Sequence, residues 1–159
     1  MSTILIVYDS EKGNTEKMAR AVAEGAEKVE EAKVIVKRVD QTSLDDLLGA
    51  DGIIIGSPTY FGLMSNKLKA LIDKSNDIYG KLEGKVGAAF TSSGNVATGA
   101  ETTLLSIIHV MLIHGMVVQG RSEGKHYGGA AVESPSPEEL EGCRDLGYKT
   151  ATLVARLTK

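Results

Sequence analysis

The chain has 159 residues and a mass of 16.8 kDa, which is the size of one ordinary domain. Apolar residues make up 42% of it, charged residues make up 25%, and the formal net charge is −3, so a disordered chain and a typical nucleic-acid-binding protein are excluded. The single cysteine, Cys143, excludes an internal disulfide and a metal site built from several cysteines.

Five short apolar runs predict β-strands, because they are rich in β-branched residues and are bounded by Gly, Asp or Ser. In chain order these runs are residues 4–8, 34–36, 53–55, 86–90 and 116–118. Their apolar character is continuous rather than alternating, which indicates a parallel sheet buried on both faces. Lys33, Lys37 and Arg38 flank the second run, and such charges are typical of an edge strand.

Amphipathic segments between the runs predict helices. Ser43, Ser65 and Ser136 have the side chain and the position of N-terminal caps, and Pro137 suits the first turn of the last helix. The fourth helix, residues 100–114, is apolar nearly all round, which makes contact with a partner subunit plausible in addition to contact with the sheet. Strands that alternate with helices in this way predict an α/β doubly wound sheet.

Ligands of such sheets bind beside the carboxyl ends of the strands, so the loops at these ends are the candidate site. The three loops with unusual sequences are residues 9–15 after the first strand, residues 56–62 after the third and residues 91–99 after the fourth. The third of these loops consists mainly of residues with small side chains and is rich in hydroxyl groups. It suits hydrogen bonds to the edge of a heterocycle, and it equally suits a mobile turn.

The first loop has the composition of an anion site. Ser10 and Thr15 supply hydroxyl groups, Gly13 supplies flexibility, and the following helix begins with free N–H groups. An ordinary helix cap at Asn14 or Thr15 explains the same residues, but the position after a buried first strand favours phosphate. Since Lys12 is the only cation in this loop, we expect one phosphate group held by neutral donors rather than a triphosphate.

The second loop holds two of the chain's seven aromatic residues, Tyr60 and Phe61. An aromatic side chain at this position is able to stack on a planar ligand, and Tyr60 is the candidate for this contact. From its apolar character alone, we expect Phe61 to belong to the hydrophobic core.

These segments, in this order, resemble the flavodoxin-like flavoproteins and, more closely, the WrbA (tryptophan-repressor-binding protein) family of FMN-dependent NAD(P)H:quinone oxidoreductases. The resemblance spans residues 4–157 and is carried by residues 10–15, 18–26, 58–65, 92–94, 114–116, 127–128 and 137–140. It implies a flavodoxin-like three-layer sandwich, in which a five-stranded parallel sheet of order 2-1-3-4-5 has helices on both faces. It also implies a single FMN-binding domain over residues 1–159.

The resemblance implies which residues bind the cofactor. The FMN phosphate is expected at Ser10, Glu11, Lys12, Gly13, Asn14 and Thr15. The flavin ring is expected at Pro58, Thr59, Tyr60, Phe61, Ser92, Ser93, Gly94 and Asn95. His114 and Tyr79 match family positions on the substrate side, the histidine often across a subunit boundary. A histidine that stabilises a helix end and a tyrosine in a surface turn explain these two residues equally well.

Two redox functions are compatible with these features, and nothing in the sequence selects for a third, non-redox function as a scaffold or regulatory partner with FMN as a structural ligand. The first is an enzyme that passes electrons from NAD(P)H through FMN to a quinone, in which the chemistry resides on the flavin and no catalytic side chain is needed. The second is a flavodoxin-type carrier that serves a redox protein. The segments 41–51 and 120–126 are shorter than in WrbA-type proteins, and Gly13-Asn14-Thr15 is more similar to an ordinary flavodoxin. We expect a cytoplasmic protein without membrane insertion or nucleic-acid binding, with a homo-oligomer, dimer or tetramer, as a possible assembly.

Other motifs predict no chemistry. Gly120-Arg121-Ser122-Glu123-Gly124 matches the G-x-S-x-G pattern of hydrolases, but no helix is predicted after it. A receiver domain needs an acceptor aspartate after the third strand, and none is present. The three histidines lack the spacing of a metal site, so no metal is expected. We expect His109 and Cys143 to be buried, the cysteine as an inert apolar side chain.

Overall fold

Parallel strands form the centre of the structure, a computed structural model that describes residues 1–159. The strands are β1 (Ser2–Tyr8), β2 (Ala32–Arg38), β3 (Gly52–Pro58), β4 (Val86–Ser93), β5 (Val117–Val118) and β6 (Gly129–Val132). They form one sheet of order β2-β1-β3-β4-β5, β6 also pairs with β4, and every pairing is parallel. The order 2-1-3-4-5 implied by the family resemblance is therefore confirmed.

Two short strands share the fifth position of the sheet. β5 pairs with Val86 and Gly87 at the beginning of β4, whereas β6 pairs with the end of β4 from Phe90 to Ser93. β6 was not predicted from the sequence, because its residues Gly-Ala-Ala-Val include a single β-branched side chain. The strand matters for the site, since it brings a further segment to the carboxyl edge of the sheet.

Helices cover both faces of the sheet. They are α1 (Asn14–Ala26), α2 (Leu44–Gly49), α3 (Asn66–Lys74), α4 (Ala100–Ile113) and α5 (Pro137–Leu157). Ser43, Ser65 and Ser136 cap α2, α3 and α5 as predicted. One buried cluster joins the sheet to α1 and α5, and the other joins it to α2, α3 and α4. Side chains of β1 alternate between the clusters, with Ile6 in the first and Leu5 in the second.

The contact between α1 and α5 depends on a glycine in each helix. A Cβ atom on Gly25 would stand 1.9 Å from the carbonyl oxygen of Arg144. A Cβ atom on Gly147 would stand 1.9 Å from the carbonyl oxygen of Val22. Only residues without a side chain permit the two backbones to approach this closely.

The fourth helix has one buried side and one exposed side. Leu104, Ile107 and Met111 are buried, whereas Leu112 and Ile113 are 56% and 70% exposed. The expectation that His109 is buried is wrong: it is exposed, because the helical repeat of 3.6 residues turns it away from the buried side chains. No helix of the structure has both the length and the apolar character that crossing a bilayer requires.

Candidate functional site

The loops that follow β1, β3 and β4 meet at one edge of the sheet and are hydrogen-bonded to one another. Thr15 Oγ1 lies 2.8 Å from Ser92 Oγ, which joins the first loop to the third. Thr59 Oγ1 lies 2.8 Å from Thr91 Oγ1, and the backbone N–H of Thr59 donates to the carbonyl oxygen of Ser92 at 2.8 Å. The three loops therefore form one connected surface.

A cavity of about 470 Å³, named the polar cavity here, lies among these loops. Its lining consists of Ser10, Glu11, Lys12, Asn14, Thr15, Pro58, Thr59, Tyr60, Ser92, Ser93, Gly94 and Glu133. Every lining residue except Glu133 belongs to the set suggested by the sequence. Three residues of that set, Gly13, Phe61 and Asn95, do not line the cavity.

The first loop presents backbone donors to the polar cavity. Ser10 Oγ accepts hydrogen bonds from the backbone N–H groups of Gly13 at 3.1 Å and Glu16 at 3.4 Å. Gly13 has a φ of 90°, in the left-handed region that favours glycine, and provides no side chain to cap α1. The backbone N–H groups of Ser10, Glu11, Lys12, Asn14 and Thr15 have no acceptor within the protein. Free donors at the beginning of a helix fit a phosphate group, such as the one that FMN carries.

The charges around the polar cavity disfavour a strongly anionic ligand. Lys12 is the only cation among the lining residues, and Glu11 and Glu133 oppose it. A single phosphate held by neutral donors fits this balance, whereas a triphosphate does not.

Two residues that sequence reasoning missed belong to this region. Arg38 Nη2 donates to the carbonyl oxygen of Ser10 at 3.1 Å and so links β2 to the first loop. The pairing of β1 with β2 brings Arg38 there, and no local signal reveals that pairing. Glu133 follows β6, and its backbone N–H donates to Ser93 O at 2.8 Å. It was missed because β6 was missed.

Tyr60 and Phe61 differ in their environment, although they are adjacent. Tyr60 and Leu63 exchange two backbone hydrogen bonds of 3.1 and 3.0 Å, which close a tight turn. Tyr60 is 39% exposed and lines the polar cavity. The expectation that Phe61 belongs to the core is wrong, since its side chain is fully exposed. Phe61 and Gly62 occupy the centre of the turn with φ values of 51° and 72°, and this position directs the ring into water.

Carboxylates surround the phenol of Tyr60. Burial raises the pKa of Tyr60, and the negative charges of Glu11 and Asp9 raise it further. Asp9 is 2% exposed, and its Oδ1 atom has no hydrogen-bond partner. The phenol therefore stays protonated and neutral beside the cavity at physiological pH.

His114 and Tyr79 lie together, away from the polar cavity. Their ring centroids are 6.0 Å apart, and His114 Nε2 lies 2.8 Å from Ser75 Oγ. Burial lowers the pKa of His114, and a neutral imidazole lacks the charge that would stabilise a helix C-terminus. His114 follows the last residue of α4, and the 14 residues of this helix separate it from the loop edge by about 20 Å. Within one chain, neither ring reaches the polar cavity.

Comparisons with known proteins agree with this geometry. A family model described as NADPH-dependent FMN reductase matches residues 40–124. A relative from Aquifex aeolicus named flavodoxin is 42% identical, over 98% of this chain and 88% of its own length. A relative from Archaeoglobus fulgidus named NAD(P)H dehydrogenase (quinone) is 35% identical, over 99% of this chain and 100% of its own length.

Two solved structures that are similar to this chain are flavodoxins as well. A WrbA-like flavodoxin from Agrobacterium tumefaciens has a TM-score of 0.84 and 31% sequence identity, and the match covers 98% of this chain and 99% of that one. A flavodoxin from the domain Archaea has a TM-score of 0.80 and 28% identity, with 96% of this chain and 99% of that one covered.

Proposed function

The chain belongs to the WrbA-like family of flavodoxin-fold flavoproteins, and from this premise we propose that it binds FMN and passes electrons from NAD(P)H to a quinone. The reaction consumes NAD(P)H, one proton and the quinone, and it releases NAD(P)⁺ and the quinol. When bound, FMN supplies the redox chemistry, because its ring system exchanges two electrons with both substrates. The observation that carries the proposal is the set of free backbone N–H groups beside a cavity that Tyr60 also lines.

The residues of the chain bind and orient the cofactor. We assign the phosphate to Ser10, Glu11, Lys12, Gly13, Asn14 and Thr15, where backbone donors and hydroxyl groups face the ligand. We assign the ring system to Pro58, Thr59, Tyr60, Ser92, Ser93 and Gly94. Phe61 and Asn95 adjoin these residues in sequence and complete the proposed set. Tyr60 offers the aromatic face for stacking, and the whole arrangement forms one FMN-binding domain over residues 1–159.

Anaerobic mixing tests the reaction. The FMN-loaded protein is mixed with NADH and, separately, with NADPH, and the flavin absorbance is followed over time. We expect one of the two nucleotides to bleach the flavin, and a benzoquinone to restore the colour. If neither nucleotide bleaches a flavin that dithionite does bleach, the oxidoreductase is rejected.

A flavodoxin-type electron carrier is the second candidate. The Aquifex aeolicus relative named flavodoxin favours it, because it is the more similar of the two relatives described above. A carrier retains the FMN site and loses direct reduction by NAD(P)H, so the mixing experiment separates the two functions.

We also propose that copies of the chain associate through the exposed side of α4. Leu112 and Ile113 expose apolar surface there, which is typical of a subunit contact. In a dimer or tetramer, the exposed Tyr79 of one chain would lie at the substrate side of another chain's site, with the buried His114 next to it. This arrangement reconciles the role suggested for the two rings with their distance from the polar cavity in their own chain.

A further inference from the structure

A second cavity of about 470 Å³, named the apolar cavity here, opens beside the polar cavity. Its walls include Val96, Ala97, Ala100, Leu104, Ala131 and Val132. Hydrocarbon surface in an open cavity marks a binding site more often than surface elsewhere does. Of the residues assigned to FMN above, only Ser93 and Asn95 also line this cavity.

A thin partition separates the two cavities. Ser93 lines both of them, whereas its neighbour Gly94 lines the polar cavity and Asn95 lines the apolar one. Residues at the end of β6 divide in the same way, with Val132 on the apolar side and Glu133 on the polar side. A ligand bound in one cavity is therefore within one residue's thickness of the other.

Gly94 adds no side chain to the partition between the two cavities. It is exposed, and a Cβ atom built on it would meet no atom within 4 Å. A flexible hydrocarbon chain is able to cross the partition at this point without displacing a side chain.

Charge decides which class of ligand the apolar cavity suits. Its charged lining residues are one cation, Lys125, and two anions, Glu101 and Glu139. Lys125 Nζ lies 3.6 Å from Glu139 and also donates to the carbonyl oxygen of Ala130, so it is already engaged. The diphosphate of a dinucleotide finds no unengaged lysine here and meets two carboxylates, whereas an uncharged hydrocarbon group is not repelled by them.

We propose that the apolar cavity binds the hydrocarbon side chain of the quinone whose ring is reduced at the polar cavity. The inference rests on the proposed function and deepens it, because it makes an alkyl- or prenyl-substituted quinone the preferred acceptor. The cavity then acts on acceptor specificity and leaves the binding of FMN unchanged.

Calorimetric titration of the oxidised, FMN-loaded protein tests the inference without turnover. The two probes share a dimethoxy-methyl-benzoquinone ring, and only one of them carries a decyl chain. We expect the decyl form to bind at least about tenfold more tightly, because the chain leaves water for the apolar cavity. The same preference is expected in protein stripped of FMN, since the walls of the cavity include no part of the cofactor.

Substitutions in the wall of the apolar cavity test whether the decyl chain binds there. Ala100→Phe fills the apolar cavity, and we expect the preference for the decyl form to fall to about threefold or less as the buried area is lost. Val132→Thr keeps the shape of the wall but makes it polar, and it reduces the preference without a change of volume. Ala155→Phe is the matched control, because this half-buried helical alanine lies near the far end of α5, and it keeps the native preference.

Each other outcome overturns the inference. Equal affinity of the native protein for both quinones shows that the cavity does not bind the decyl chain. An unchanged preference in Ala100→Phe shows that the decyl chain binds elsewhere. If Ala100→Phe weakens the binding of NADPH instead, the cavity holds the dinucleotide. Failure of NAD(P)H to bleach the flavin rejects the proposed function, yet the two quinone affinities remain measurable, so the two failures are distinguishable.

Discussion

The hydroxyl group of Ser10 stabilises the conformation of the first loop through hydrogen bonds to its backbone. Its oxygen accepts two backbone hydrogen bonds, from Gly13 and Glu16, and these stabilise the turn that precedes α1. Its own hydroxyl proton remains available to a ligand. At the scale of single residues, we therefore expect the binding of phosphate to depend on this side chain more than on the charge of Lys12.

Replacement of Ser10 tests that dependence. In Ser10→Ala the loop loses both bonds and the ligand loses a donor, so we expect the affinity for FMN to fall by about 1–3 kcal/mol. Riboflavin lacks the phosphate, and its affinity is expected to stay unchanged. Quenching of flavin fluorescence measures both constants, and Ser134→Ala, at an exposed serine, is the control. An equal loss for riboflavin would show that Ser10 acts on the ring rather than on the phosphate.

His114 makes stability depend on pH. Burial lowers its pKa in the folded state below the ordinary value of about 6.5, so the unfolded chain binds a proton more readily. The stability associated with the neutral ring is complete above pH 6.5 and declines as the pH falls from 6.5 towards the lowered pKa. Urea unfolding at pH 7.5 and pH 5.5 measures this decline, and we expect a smaller decline in His114→Gln. An identical decline in the two proteins contradicts the role of the buried imidazole.

At the scale of elements, the pair formed by α1 and α5 is held by close backbone contact. Gly25 and Gly147 permit that contact, and Arg144 Nε adds an ion pair with Glu24 Oε2 at 2.7 Å on the exposed side. Exposed ion pairs contribute little, so the stability of this pair of helices resides mainly in the packed face.

Two glycines of α5 therefore respond oppositely to the same change. Gly147→Ala places a methyl group on the carbonyl of Val22, and we expect a loss of at least about 2 kcal/mol in the free energy of unfolding. Gly142→Ala meets nothing within 4 Å, and helix propensity predicts a gain of about 0.5–1 kcal/mol. Chemical denaturation measures both values. A gain in both variants would show that the two helices separate easily.

At the scale of the whole molecule, α4 carries the proposed contact between copies. Its N-terminus lies beside the loops of the site, and its C-terminus carries the exposed Leu112 and Ile113 next to His114. One helix thus connects the binding edge of a chain to the surface through which a second chain would bring Tyr79 and His114 to that edge.

A charge on this surface tests the assembly. We expect the native protein to sediment as a dimer or tetramer and Ile113→Glu to sediment as a monomer, because burial of an unpaired carboxylate opposes association. Leu157→Glu, at another exposed leucine on α5, is expected to leave the native assembly intact. A native protein that sediments as a monomer at all concentrations excludes contacts from Tyr79 and His114 across subunits.

Five of the six strands, the three serine caps and most of the polar cavity were predictable from sequence, because their signals are local. A run such as residues 53–55 indicates a buried strand by itself, and Ser136 marks a helix end through residues three positions away. Ser10, Asn14 and Thr15 lie within six residues of each other, so a single turn of the chain brings all three to the polar cavity. The order of the strands required the family resemblance in addition.

Tertiary structure alone decided what depends on contacts between distant segments. Arg38 reaches the first loop through the pairing of two strands, Phe61 points outward because of one turn's backbone, and Gly147 meets α1 across more than a hundred residues. The apolar cavity likewise forms only where β6 docks beside β4. Local patterns determine which elements exist and which side of each is apolar, whereas the free energy of packing determines which sides meet, and no short window of sequence contains both partners.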